Sequence, residues 1–210
     1  KECAERKGIN VVGIIDCASP YVIEDIEEFL KTGDAYEIED GGIIYKDKVC
    51  ILLGSEVETS EVSRNGKCGA AHNVCFFPHL SDIKAFSEEM SHHIKNITLS
   101  TQRSDISGYE LIDIVEKYNG ILIPAHCFTP FKSYYGNCVD RMKNIFKEKF
   151  DKIFAIELGL SADTYLADMI TELENKTFVT NSDAHSLPKI AREYNKMQVA
   201  DISFKEKIDI

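Results

Sequence analysis

The sequence predicts an α/β fold built on a largely parallel sheet or barrel, and three observations predict it. Short apolar, β-branched runs alternate with helical stretches along most of the chain, the pattern of strands joined by crossover helices. Nearly every strand run stops at a residue that can serve as an acid, a base or a metal ligand, as strand ends do when they converge on one rim. The chain has 210 residues, 44% of them hydrophobic and 28% charged, enough for one domain (1–210) with a substantial core.

Taken in order, Glu2 to Lys7 reads as a helix stopped at Gly8, and Ile9 to Ile15 as a buried strand ending at Asp16. Pro20 opens a helix to Lys31. After a loop from Gly33 to Gly42, Ile43–Tyr45 and Val49–Leu53 read as a hairpin, and Asn65-Gly66 marks a second hairpin turn. Ala70–Phe77 is a strand stopped by Pro78, and Ser81–Met90 an amphipathic helix. Ser91–Ser107 is polar and irregular, a candidate functional loop, and Ser107 caps a helix to Tyr118. The strand Ile121–Ile123 leads into Pro124-Ala125-His126, then an aromatic irregular segment from Phe128 to Asn137. A helix over Val139–Lys149, a strand Ile153–Glu157, a helix Asp163–Glu174, a strand Thr177–Thr180 and a short helix from Pro188 complete the order. The opening without Met and the abrupt end lead us to expect a fragment of a longer protein.

Composition narrows the function. No apolar run approaches the ~18 residues of a membrane span, so no membrane partner is expected. Seven cysteines with no C-x-x-C pair argue against a zinc ribbon or a disulfide framework, and for reduced thiols in the cytoplasm. A net charge of −11 opposes nonspecific nucleic-acid binding and suits a small anionic substrate held by cations, although bound metal ions can reverse the local field.

The candidate site residues are Asp16, Glu56, His126, Glu157, Asp183 and His185 just past strands, with His72 inside one. If Asp183 to His185 continue extended, Asp183 and His185 point the same way. Alone, that stretch reads more readily as a turn capping the next helix. Together, so many carboxylates and imidazoles on one rim would repel or desolvate one another without cations, and with divalent ions they form a coordination shell. His79, His92 and His93 read as solvated. The Phe128–Tyr135 segment, with Phe128 and Tyr134, reads either as a stacking surface for a substrate base or as a hydrophobic plug.

These residues carry a resemblance. Asp16, Gly54-Ser55-Glu56, His72, Pro124-Ala125-His126 and Ser182-Asp183-Ala184-His185 resemble the polymerase and histidinol phosphatase (PHP) superfamily of metal-dependent phosphoesterases. The runs His126-Cys127-Phe128-Thr129-Pro130 and Glu157-Leu158-Gly159-Leu160-Ser161 resemble its endonuclease Q branch more narrowly. The resemblance implies a distorted (β/α)7 barrel, here lacking its first strand, with two or three divalent ions (Zn, Mn or Mg). It implies that Glu56 bridges two ions, His72 and His126 hold the second, Asp183 the first and His185 a third, with Glu56, Asp183 and His185 catalytic. Asp16 stands at the Asp-His dipeptide of many relatives, with Cys17 in place of the His, and the superfamily's His-x-His pair does not occur in the chain. Glu157 falls at a position expected to touch the substrate or support a ligand, and Phe128 and Tyr134 at candidate substrate contacts. The implied activity is phosphodiester hydrolysis, with DNA carrying deaminated bases as substrate in DNA repair. The alternatives are a small-molecule phosphomonoesterase of the histidinol-phosphatase kind and an inactive barrel fragment.

Overall fold

Two long strands, β4 (Val49–Val62) and β5 (Cys68–Phe77), form the spine of the computed structural model, which describes residues 2–62, 66, 68–99, 101 and 103–205. They pair antiparallel from Leu53↔Phe77 to Val62↔Cys68. β1 (Val11–Ile14) joins β4 in parallel, β2 (Ala35–Glu37) and β3 (Ile43–Tyr45) extend the sheet antiparallel beyond β4, and β6 (Ile121–Pro124) pairs antiparallel with β5. β7 (Ala155–Glu157) and β8 (Thr177–Val179) make a separate parallel pair. The sheet is therefore mixed, not largely parallel as the alternating order suggests. The reason is local: β3 to β4 and β4 to β5 are sequential hairpins, which can only pair antiparallel. No closed sheet forms among the described residues, where the strands make one six-stranded and one two-stranded sheet.

β4 also runs nine residues past the strand end at Leu53 expected from sequence. Gly54-Ser55 reads as a terminator, but its backbone stays in register against Phe76 and Cys75. Glu56 consequently lies within a strand and not beyond one. The Asn65 half of the expected hairpin turn falls outside the described residues.

A short helix, α1 (Glu2–Arg6), precedes β1, and the longer helices cover the sheet with one apolar stripe each. α2 (Pro20–Thr32) begins on proline, buries Ile23 and Ile26, and ends at Gly33, whose left-handed φ of 79° suits a residue without Cβ. α3 (Leu80–Met90) buries Ile83, Phe86 and Met90, and Phe86 meets Phe77 of β5 at 4.5 Å between ring centroids. α4 (Gly108–Lys117) buries Leu111, Ile112 and Val115 and starts with a capping box. The Ser107 hydroxyl accepts from the Glu110 amide, and the Glu110 carboxylate accepts from the Ser107 amide. Each fully buried side chain of this size contributes roughly 1.5–3 kcal/mol.

The last third is less regular than the sequence suggests. The helix expected over 139–149 is a single α-turn, α5 (Lys143–Phe146), broken where Lys147 takes φ 51° and followed by a 3₁₀ turn. The helix expected over 163–174 is likewise reduced to α6 (Thr164–Ala167) and a 3₁₀ turn. A 3₁₀ turn at Leu187–Lys189 replaces the expected final helix.

Candidate metal centre

Three strands bring the central residues together. Side chains of one strand alternate faces, so Glu56 and Glu58 of β4 share a face while Val57, Thr59 and Glu61 point into the opposite, fully packed side. His72 lies directly across from Glu58 in the β4–β5 register. β6 continues the row: Asn73 pairs with Pro124, and the Ala125 amide donates to the His72 carbonyl at 2.9 Å. His126 follows at once and turns inward with φ 31°, a left-handed conformation that a non-glycine residue adopts at a cost.

The result is a compact donor cluster. One ligand atom each from Glu56, His72 and His126 lie within 4.8 Å of one another. His72 Nδ1 is 2.8 Å from Glu56 Oε1 and 3.2 Å from His126 Nε2, while His72 Nε2 faces Glu58 Oε2 at 3.3 Å. The Thr101 hydroxyl donates to Glu56 Oε1 at 3.0 Å. Burial works against charge on Glu56, but His72, Thr101 and His126 outweigh it and lower its pKa, keeping it an anionic donor. His72 is buried too, yet its contacts to Glu56 and Glu58 raise its pKa. Burial and the neighbouring His72 lower that of His126, which leaves a neutral ring with a lone pair.

These donors fit a divalent cation. Two imidazole nitrogens and a carboxylate oxygen converge from β4, β5 and the turn after β6, and Glu58 occupies the outward nitrogen of His72, as carboxylates do behind metal-ligating histidines.

Glu157 closes the floor. Its carboxylate accepts from the His126 amide at 3.2 Å and its backbone carbonyl from the Cys127 amide at 3.0 Å, tying β7 to the end of β6. Burial, with the charges of Glu56 and Asp183 adding, pushes its pKa up to about 7. Gly159, at φ 73°, packs against His126 so closely that an added Cβ would come within 2.7 Å of the His126 Cβ.

The other expected residues are placed differently. Asp16 lines a small cleft together with Glu56 and Thr101, and its backbone bridges Ser55. Asp183 and His185 stand outside the three-residue cluster. Asp183 takes φ 41° beyond β8, and its backbone carbonyl and that of Ser182 accept from Arg192 at 3.1 and 2.6 Å. The His185 side chain is 81% exposed and contacts Asp183 Oδ1 at 3.5 Å. Phe128 is half-buried and stacked on Tyr135 at 5.2 Å. Tyr134 corrects an expectation: it is fully buried, its hydroxyl donating to Asn73 Oδ1 at 2.9 Å, so its ring offers no face to a substrate. It belongs to a packed polar network with Thr59, Glu61 and Asn73.

Sequence reasoning passes over Glu58, Thr101, Arg103 and Lys132. The alternation Glu56-x-Glu58 is the available signal, hidden because Gly54-Ser55 reads as the end of the strand. Arg103 Nε donates to Glu58 Oε1 at 2.5 Å, Lys132 Nζ to Oε2 at 2.9 Å, and these two cations with His72 lower the Glu58 pKa to about 2 despite its burial.

No family model matches the chain. An uncharacterised protein of Bacillus subtilis strain 168, YqxK, is 45% identical over 207 residues, which is 98% of this chain and 52% of that protein. The novel lesion-specific endonuclease PfuEndoQ from Pyrococcus furiosus aligns with a TM-score of 0.81 and 31% identity, over 98% of this chain and 48% of that one. This chain has the fold seen in endonuclease Q. A second endonuclease Q structure, in complex with a 27-mer duplex substrate carrying an abasic lesion at the active site, aligns at TM-score 0.83 and 31% identity, over 98% and 49% of the two chains. The chain thus spans about half the length of the relatives it matches. The Glu56–His72–His126 cluster supplies nitrogen and carboxylate donors of the kind that hold divalent ions.

Proposed function

We propose that this protein is a metal-dependent phosphodiesterase, an endonuclease that cuts DNA carrying deaminated bases as a step of DNA repair. The observation that carries the reading is the convergence of Glu56, His72 and His126 within 4.8 Å, on a fold shared with endonuclease Q. Glu56 Oε1, His72 Nδ1 and His126 Nε2 would hold one ion, and Asp16, Asp183 and His185 would contribute to a second or third, whether zinc, manganese or magnesium. The strands would belong to a distorted (β/α)7 barrel. The protein would work in the cytoplasm, where its cysteines, none in a disulfide, stay reduced.

A divalent ion bound there would make water nucleophilic near neutral pH and neutralise charge on the phosphate oxygens. The protein's own groups would do the rest. Thr101 orients the Glu56 carboxylate through its hydroxyl. Glu58 keeps the His72 Nε2 proton pointing away, which leaves Nδ1 as the inward donor. Glu157 fixes the strained His126 backbone through its amide. The half-buried Phe128–Tyr135 stack lies just beyond His126 and would offer a surface to a base withdrawn from the duplex, at roughly 1–3 kcal/mol of stacking per base.

The test is incision of a duplex oligonucleotide containing one deoxyuridine, with manganese or magnesium present and Asp183→Ala alongside. Cleavage beside the lesion, lost in the variant, is the expected result. Inactivity with every divalent metal overturns the reading. Phosphate released from a small phosphomonoester without incision would replace it with the phosphatase alternative.

A further inference from the structure

The acidic chain carries a local cationic pair beside the donor cluster, and both cations are anchored to one buried carboxylate. Glu58, 5% exposed, holds Arg103 Nε on one oxygen and Lys132 Nζ on the other. The anchored side chains remain 62% and 53% exposed, so their remaining N–H donors reach solvent. Two positive charges against one negative leave a net positive spot on a protein whose formal charge is −11.

The backbone fixes this pair in place as well. Arg103 bridges Glu58 in a parallel β-bridge. The Lys132 carbonyl accepts from the His72 amide at 3.0 Å, and Lys132 takes the left-handed φ of 55° that this turn demands. His72 is the common element: its Nδ1 faces Glu56 and the candidate ion, its Nε2 faces Glu58 and the cations. One imidazole ring therefore separates the donor cluster from the cationic pair. A phosphomonoester seated on the ions has no second anion to place there. A polynucleotide does, because each scissile phosphate is flanked by others along the strand.

Resting on the nuclease reading, we propose that Arg103 and Lys132 bind a phosphate flanking the scissile one, and so make the site selective for a phosphodiester chain over an isolated phosphate ester. Glu58 is the positioning residue that aims both cations. Guanidinium and ammonium groups held on a rigid carboxylate lose little side-chain freedom on binding, which favours them as backbone contacts.

The experiment compares Arg103→Ala, Lys132→Ala and the double variant with the wild-type protein, measuring binding of a lesion-containing duplex across a salt series and steady-state cleavage. Each single change is expected to reduce the slope of log affinity against log salt by about one, and the double change by about two. KM for the duplex should rise about tenfold per cation lost, with kcat changed far less. Arg103→Lys and Lys132→Arg should restore the slope, because they return the charge. Lys84→Ala, which removes an exposed lysine paired with Glu27, should leave it unchanged. An unaltered slope and KM in the double variant, with the wild type still cutting, overturns the inference and spares the nuclease reading. A loss in kcat alone, unrelieved by the charge-keeping variants, also overturns it by assigning the pair a structural part. A wild-type protein that neither binds nor cuts DNA removes both.

Discussion

The two halves of the candidate site are built in opposite ways. Glu56 and His72 stand on strands with hydrogen-bonded neighbours on both sides, His126 follows β6 with its amide tied to Glu157, and His72 is 8% exposed. Asp183 and His185 follow a three-residue strand paired, among the described residues, only with β7, and both side chains are open to solvent. A residue held by paired strands keeps its geometry whether or not a ligand is present, whereas a residue on a one-sided support opens at low cost. The first half is therefore preorganised for a cation. The second depends on Arg192 clamping the Ser182 and Asp183 carbonyls, and on the ligand itself. Glu157 sits where the halves meet, bonded to His126 and close enough to feel the charge of Asp183.

The most direct way to break this contrast is to remove one histidine from each half. His72→Ala deletes a donor at the centre of the cluster and takes the imidazole away from Glu56, leaving it the Thr101 hydroxyl. Metal affinity, measured by calorimetry, should fall more than the ~100-fold typical of losing a residue behind a ligand. His185→Ala removes an exposed ring, and a loss of about tenfold or less is expected. Equal losses would show that the exposed half holds the ion as firmly as the buried one does.

The same contrast explains which features are legible in the sequence. Strand runs such as Val11–Ile14 and Ile121–Ile123 carry their own signal, a β-branched stretch ending at a polar residue, and they lie where that signal puts them. Ser107 is legible as a cap because its partner Glu110 is local. Sheet direction is not legible, since it depends on which strands meet. The far half of β4 is hidden for the same reason: Gly54-Ser55 has no strand preference, and only pairing with β5 keeps it extended. The sequence leaves Tyr134 open between a stacking surface and a hydrophobic plug because nothing nearby in sequence names Asn73 and Glu61 as its partners. Arg103 and Lys132 are invisible on the same account, being 45 and 74 residues from the Glu58 that anchors them.

A smaller perturbation tests how rigid the first half is. Gly159→Ala places a Cβ against the His126 backbone, at a left-handed φ that alanine resists. It should cost about 1–3 kcal/mol, lowering the melting temperature by about 2–4 °C per kcal/mol, and weaken metal binding together with stability. Lost stability with unchanged metal affinity would mean that His126 finds its geometry without the glycine.

The finest test is at the junction. The Glu157 carboxyl titrates near 4.5 in the unfolded chain and near 7 in the folded one. Between those values the folded protein keeps a proton that the unfolded chain has lost, so this group's contribution to stability is present below about 4.5 and declines as the pH rises through about 7. Glu157→Gln presents an amide oxygen to the same His126 N–H but cannot ionise. In metal-free protein, the fall in melting temperature from about pH 5 to about pH 8 should be shallower in the variant by about 5–10 °C. Identical profiles would place the Glu157 charge in contact with solvent or a cation, and the junction between the two halves would then be open rather than sealed.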